Sequence, residues 1–258
     1  MSTLFLSNNL GVTDAASYTV TTGTENAQFP LSNFKDNHTT KVFRSTGNTL
    51  EFTVDMGSLN TVDTFALVGS SVDGLGITAC SIYLSATNDF TGAAELVVAL
   101  SDAYNFGYKQ FTSGSYRYMR ISLTGNGSYC ELSNFYIGEA TEFANNGIEQ
   151  SSFKYTNTDN SKISKNKYGS KFINSYNRIK VLSGAIKTMN SAEFTTLNNI
   201  YTEHGVNTPI WFMADTTEAI ITDGDFIFSG YFYFNSQPTF TTRSGLLFDS
   251  SFVLEDSV

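Results

Sequence analysis

The chain has 258 residues, room for one large domain or two of ordinary size, and either choice leaves enough chain to bury a core. With 22 Phe, 14 Tyr, 15% charged residues and 3 Pro, its composition suits pleated, half-buried strands rather than a helical domain. A formal charge of −9 argues against a protein whose main task is binding nucleic acid, because phosphate contacts need a basic surface.

Taken in order, Thr3 to Leu6 reads as a short apolar strand, followed by an Asn-rich turn and a second strand from Tyr18 to Thr22. Residues 26–45 read as loop, broken at Pro30 and Asn37. In the next strand Leu50, Phe52, Val54 and Met56 alternate with Glu51, Thr53 and Asp55, the period of a half-buried strand. Further strands are expected over "TVDTFALVGSSV", "ACSIYLSATNDF", "AAELVVAL", "YNFGYKQFTSG", "YRYMRISLTG" and "CELSNFYIG". In the fifth of these, Tyr118, Arg120 and Ser122 share one face and Met119, Ile121 and Leu123 the other. About eight short strands separated by turn residues predict an antiparallel sandwich or barrel.

Past residue 139 the chain turns polar and basic. From Lys154 to Lys187 seven Lys and one Arg stand against a single acid, Asp159, a net +7. This is either a solvated connector or a basic face that docks on an acidic neighbour. One helix is expected over about 191–203. Asn190 and Glu193 form a capping box, Phe194, Leu197, Ile200 and Tyr201 make an apolar stripe, and Gly205 ends it. Strands follow on both sides, so the second half reads as α+β. The expected division is 1–140 as a sandwich, 141–170 as a polar basic connector or extended arm, and 171–258 as an assembly domain.

The ordered pieces "FKDNHTTKVFRS" (34–45), "EFTVDMG" (51–57), "YRYMRISL" (116–123) and "CELSNFYIG" (130–138) resemble the discoidin, or coagulation-factor type C, domain of the galactose-binding-like jelly rolls. The fold class expected is therefore mainly β, a discoidin-like jelly-roll sandwich plus an α+β domain. The family's usual Trp is Phe43 here, and its terminal cysteines are absent. Cys80 and Cys130 fall inside strands, expected as free thiols unless the fold joins them. The resemblance implies glycan binding through loops at one end of the sandwich, with Tyr104, Tyr108 and Tyr129 as stacking candidates against a core role for the same rings. It also implies a structural Ca²⁺ held by Asp36, nearby carbonyl oxygens and Glu131, the alternative being a turn cap and a strand end. No other cofactor is implied.

Catalytic motifs are lacking, Asp223 and Asp225 read as a hairpin turn, and a non-enzyme is expected. The whole chain is similar to tail-tip or baseplate proteins of tailed, siphophage-like bacteriophages. That resemblance implies a structural virion protein with ring or tube assembly through the second half. Its partners would be other tail proteins (tube, hub), copies of itself, and a host-surface glycan at the sandwich. Lys162, Lys165, Lys167 and Lys171 are the interface candidates. The alternative is a carbohydrate-binding module whose main role is glycan recognition. The first residues lack the basic and apolar run of a secretory signal, and no apolar stretch is long enough to span a bilayer. The expectation is synthesis in the host cytoplasm and residence in the virion tail, without membrane insertion.

Overall fold

In the computed structural model, residues 3–36, 40–69, 75–101, 105–143, 152, 154–159, 161–165, 171–174, 178–213, 229–243 and 247–256 are described. The strands of the first half are β1 (Thr3–Leu6), β2 (Ser17–Thr22), β3 (Phe43–Arg44), β4 (Thr49–Val68), β5 (Ile77–Ser85), β6 (Leu96–Val97), β7 (Ala99–Ser101), β8 (Phe106–Gly125), β9 (Glu131–Leu132), β10 (Asn134–Gly138) and β11 (Thr141–Phe143). The second half holds β12 (Lys154–Asp159), β13 (Lys162–Lys165), β14 (Lys171–Asn174), β15 (Arg178–Met189), α1 (Ser191–His204), β16 (Ile210–Met213), β17 (Ser229–Phe234), β18 (Thr239–Arg243) and β19 (Leu247–Asp256). The chain forms two compact units. The first is Met1–Phe143 with Ile210–Tyr231, and the second is Ala144–Pro209 with Phe232–Val258.

The first unit is a jelly-roll β-sandwich. Two pairs of expected strands prove to be single long strands, β4 and β8, paired along their whole lengths in antiparallel register. The register shifts between Asp55 and Asn60, and again between Val62 and Thr64, without ending the pairing. An extra residue at such a bulge bends a strand and leaves the ladder on both sides intact. Gly57 sits in the first shift at φ +82, and the Asp55 carboxylate accepts its N–H at 2.8 Å. An L side chain there would be strained.

Before the bend, β4 pairs with β2 and β8 with β5; beyond it, β4 pairs with β10 and β8 with β7. Both stretches feed one core. Leu50, Phe52, Val54 and Met56 pack with Phe65, Leu67, Ile82, Met119, Ile121 and Phe135, all buried. Phe52 and Phe135 approach to 6.5 Å between ring centroids, from opposite sides of that core. Each such side chain contributes about 1.5–3 kcal/mol by burial. The alternation of Leu50 to Met56 thus marks scaffold.

Strand β10 is buried at every position, on both faces. A strip made by β1 between β11 and β16 supplies the second cover. Leu4, Leu6, Trp211, Met213 and Tyr231 pack there against Ala66, Phe106, Tyr108 and Tyr136. Asn9 extends the edge of β10: its amide donates to Phe135 O at 2.7 Å and its Oδ1 accepts the Ile137 N–H at 3.2 Å.

In the second unit β15 pairs with β12 and β19, and β19 pairs with β18 and with Phe232–Phe234 of β17. Helix α1 starts where expected. The Asn190 side chain accepts the Glu193 N–H, and the Glu193 carboxylate accepts the Asn190 N–H, both at 2.9 Å. Phe194 packs between Phe240 and Phe248, Tyr201 against Phe234, and Leu197 and Ile200 are buried. The unit is α+β, with one α-helix among the described residues.

Candidate functional site

At one end of the sandwich the loops 23–30, 45–48 and 126–130 converge on the short β3–β9 pair. Phe43 lies across from Leu132 and Arg44 across from Glu131. Phe43 is buried against Phe34 and Phe52. The Ser45 hydroxyl accepts the Cys130 N–H at 2.7 Å, so three consecutive residues each hold a counterpart on the other strand. Gly76 closes over this joint at φ +70, where an added Cβ would lie 2.4 Å from Glu131 O.

Arg44 is the centre of the arrangement. Its Nε donates to Glu131 Oε2 at 2.7 Å and its Nη2 donates to the same oxygen. Its guanidinium lies 4.8 Å from the Phe29 ring centroid and 4.3 Å from that of Tyr129. The Glu131 side chain is 3% exposed and that of Arg44 26%. A buried carboxylate costs several kcal/mol unless a cation and hydrogen bonds compensate it, and Arg44 supplies both. Exposed Gln28, Thr46, Asn126 and Ser128 lie on the same loops and carry amide and hydroxyl groups. Arg44 and Glu131 balance each other's charge, and the loops around them carry polar residues. The arrangement offers aromatic rings and hydrogen-bonding groups to a ligand.

The expected calcium ligands are engaged otherwise. Asp36 ends a 3₁₀ turn over Leu31–Lys35, its carboxylate pairs with Lys41, and its carbonyl accepts from the Asn134 amide at 3.2 Å. Glu131 faces Arg44. Among the described residues no three His, Cys, Asp or Glu side chains gather to hold a metal. Each carboxylate has a cation beside it, Lys41 for Asp36 and Arg44 for Glu131.

Tyr129 is brought to the site, one ring face covered by Arg44. Tyr108 is not: it is 2% exposed, inside the layer formed with β1 and β16, so its ring offers no face to a sugar. Tyr104 and Lys167 lie outside the described residues, as do Asp223 and Asp225. Lys162, Lys165 and Lys171 fall on the β13–β14 hairpin, where Lys165 stands directly across from Lys171 and the latter is exposed. Both cysteines are buried free thiols, and burial pushes both upward in pKa. Cavities among the described residues lie elsewhere. One of about 170 Å³ is lined by Leu84, Leu96, Phe111 and Tyr116 in the first unit, and one of about 430 Å³ by Tyr233, Asn235, Glu255 and Asp256 in the second. The first is apolar, and the second has its Glu255 already bonded to Asn235 at 2.7 Å.

No protein-family model matches this sequence, and no curated protein matches it. Among solved structures it is similar to a family 32 carbohydrate-binding module of Clostridium perfringens in complex with GalNAc-β-1,3-galactose, at 12% identity over 51% of this chain and 99% of that one, with a TM-score of 0.42. A family 32 module of C. perfringens NanJ in complex with galactose aligns at 16% identity over 53% of this chain and 98% of that one, TM-score 0.41. A chitosan-binding module from a chitosanase/glucanase of Paenibacillus sp. IK-5 aligns at 20% identity over 50% and 98%, TM-score 0.41.

Proposed function

We propose that the first unit is a carbohydrate-binding module and that its ligand sits at the loop end around Phe29, Arg44 and Tyr129. The carrying observation is the Arg44 stack. A guanidinium fixed between two rings and neutralised by buried Glu131 makes a rigid platform, with amides and hydroxyls on the same loops. Sugars are bound by such platforms, through apolar ring contact and polar edge groups. A glycan array probed with the full chain tests this. Binding of at least one neutral glycan, weakened about tenfold or more in Tyr129→Ala, is expected. Absence of binding to any glycan refutes it.

A second reading, in which the chain is also a structural protein of a phage tail tip, is favoured by the segregation of charge. The β13–β14 hairpin places Lys165 across from Lys171, inside a segment of net +7 in a chain of net −9. Directly opposed like charges destabilise a pair of strands, and a two-stranded hairpin is marginal alone. An acidic surface, on a second copy or on another tail protein, answers both. The sandwich would then be the docking or glycan-binding part and the second unit the part that assembles. Protein analysis of intact tails decides: absence of the chain from them ends this reading.

A further inference from the structure

The sheet formed by β2, β5, β6 and the paired ends of β4 and β8 has an inner face in the core and an outer face that is polar. On the outer face Thr53, Arg120 and Tyr83 stand in one row across β4, β8 and β5, and Glu51, Ser122 and Ser81 stand in the next. The Arg120 guanidinium lies 4.6 Å from the Tyr83 ring centroid and 4.8 Å from that of Phe90. With rings on both sides, its edge is what remains for a partner.

That edge is unfilled. Arg120 makes no hydrogen bond among the described residues; its Nε is buried, so a ligand meets the fork at Nη1 and Nη2. The carboxylate beside it, Glu51, stays 3.8 Å away from Nε and takes the Thr21 hydroxyl at 3.1 Å instead. The Glu51 side chain is 26% exposed and that of Arg120 28%. A guanidinium is a fixed fork of donors, and donors without a partner are open to a ligand. Arg44 and Arg117 of the same unit do not leave theirs so: both close on a carboxylate through Nε and Nη2.

We infer that Arg120 and Glu51 form a second sugar subsite on this sheet face, one that takes the vicinal diol of a neutral pyranose. A diol has one oxygen to accept from the guanidinium edge and one hydroxyl to donate to the carboxylate, so it fills both groups at once. An anionic ligand is disfavoured because Glu51 and Asp55 both line this face. Ser81 and Ser122 add hydroxyls in the same row as Glu51. The Tyr83 and Phe90 rings hold the Arg120 fork in place, and rigid donors are what a weak polar ligand needs. This subsite rests on the carbohydrate-binding reading and extends it with residues that the loop end does not use.

The test is ligand-observed NMR and calorimetry on the full chain with galactose, glucose, mannose and glucuronate, comparing wild type with Arg120→Gln, Glu51→Gln and Tyr129→Ala. Circular dichroism melts accompany every variant. The expected result is that Arg120→Gln and Glu51→Gln each weaken one neutral sugar by about tenfold or more, the usual cost of losing a hydrogen bond to a charged group. Tyr129→Ala is expected to leave that component in place. If both sheet-face variants bind as wild type, or if Tyr129→Ala removes all binding, the second subsite is refuted and the loop-end reading stands. Preference for glucuronate refutes the diol assignment. If the folded wild type binds none of these sugars, the second subsite is refuted, and the glycan array decides the loop-end reading separately. Should Arg120→Gln melt early, Glu51→Gln still decides, because it keeps the shape of a partly exposed side chain.

Discussion

Two arginines of the first unit lie between pairs of aromatic rings, Arg44 between Phe29 and Tyr129 and Arg120 between Tyr83 and Phe90, yet only Arg44 closes on a carboxylate at hydrogen-bond distance. The difference lies in the acids. Glu131 is buried and must be compensated where it stands, whereas Glu51 is in contact with water and needs no cation. Stacking on rings fixes where a guanidinium is; burial of its neighbour decides whether it is already spent. Arg117, bidentate to Asp55 with both side chains partly exposed, stands between the two cases.

Removing Arg44 gives the largest effect that separates them. Arg44→Ala leaves Glu131 charged, buried and unpaired, and is expected to lower stability by about 3–5 kcal/mol in urea unfolding. A loss below about 1 kcal/mol would mean that the Glu131 environment is wetter than its burial indicates. Next comes the intermediate pair. The Arg117 hydrogen bond holds the Asp55 carboxyl below its usual range. A carboxylate with a depressed folded pKa stabilises above its unfolded pKa, near 4, and the gain is lost as pH falls through the lower folded value. Solvent screening keeps this to at most about 1 kcal/mol. Comparing Asp55→Asn with wild type across that acid range is expected to flatten the corresponding part of the stability curve. Arg120→Ala is expected to cost less than about 1 kcal/mol, the worth of partly exposed cation–π contacts. A cost like that of Arg44 would show that its role is structural. The smallest effect concerns calcium: with Glu131 turned to Arg44, melting midpoints are expected to be the same in EDTA and in added Ca²⁺. A midpoint rising with calcium concentration would place a bound ion in the folded state.

How much of this was readable from the amino acids depends on how far apart the partners are in the chain. The alternation at 50–56 and the capping box at Asn190 are local, and both hold. "FRS" and "CEL" read as separate pieces of a resemblance; their meaning lies in the ladder that sets Phe43 against Leu132 and Arg44 against Glu131. Nothing local marks the role of Arg44; the Glu that faces it joins it only once the strands are assembled. The outward face of Tyr118, Arg120 and Ser122 follows from alternation alone, but the rings that trap Arg120 come from β5 and from Phe90 beyond it. Tyr108 misleads for the same reason. Alternation allows one face of "YNFGYKQF" to be open, while the strip that covers it draws on residues 210–213, which nothing in the composition ties to the first half.

That strip also sets a timetable. As the polypeptide leaves the ribosome, β1 emerges first, and β11 can join it once residue 143 is out, but its other neighbour is not yet translated. Leu4 waits for Met213, Phe5 for Phe212 and Leu6 for Trp211, some two hundred residues later. Meanwhile Tyr108 and Tyr136 keep an apolar surface without its lid. Nascent chains stalled before residue 210 should therefore recruit a holding chaperone, and those stalled beyond residue 231 should release it.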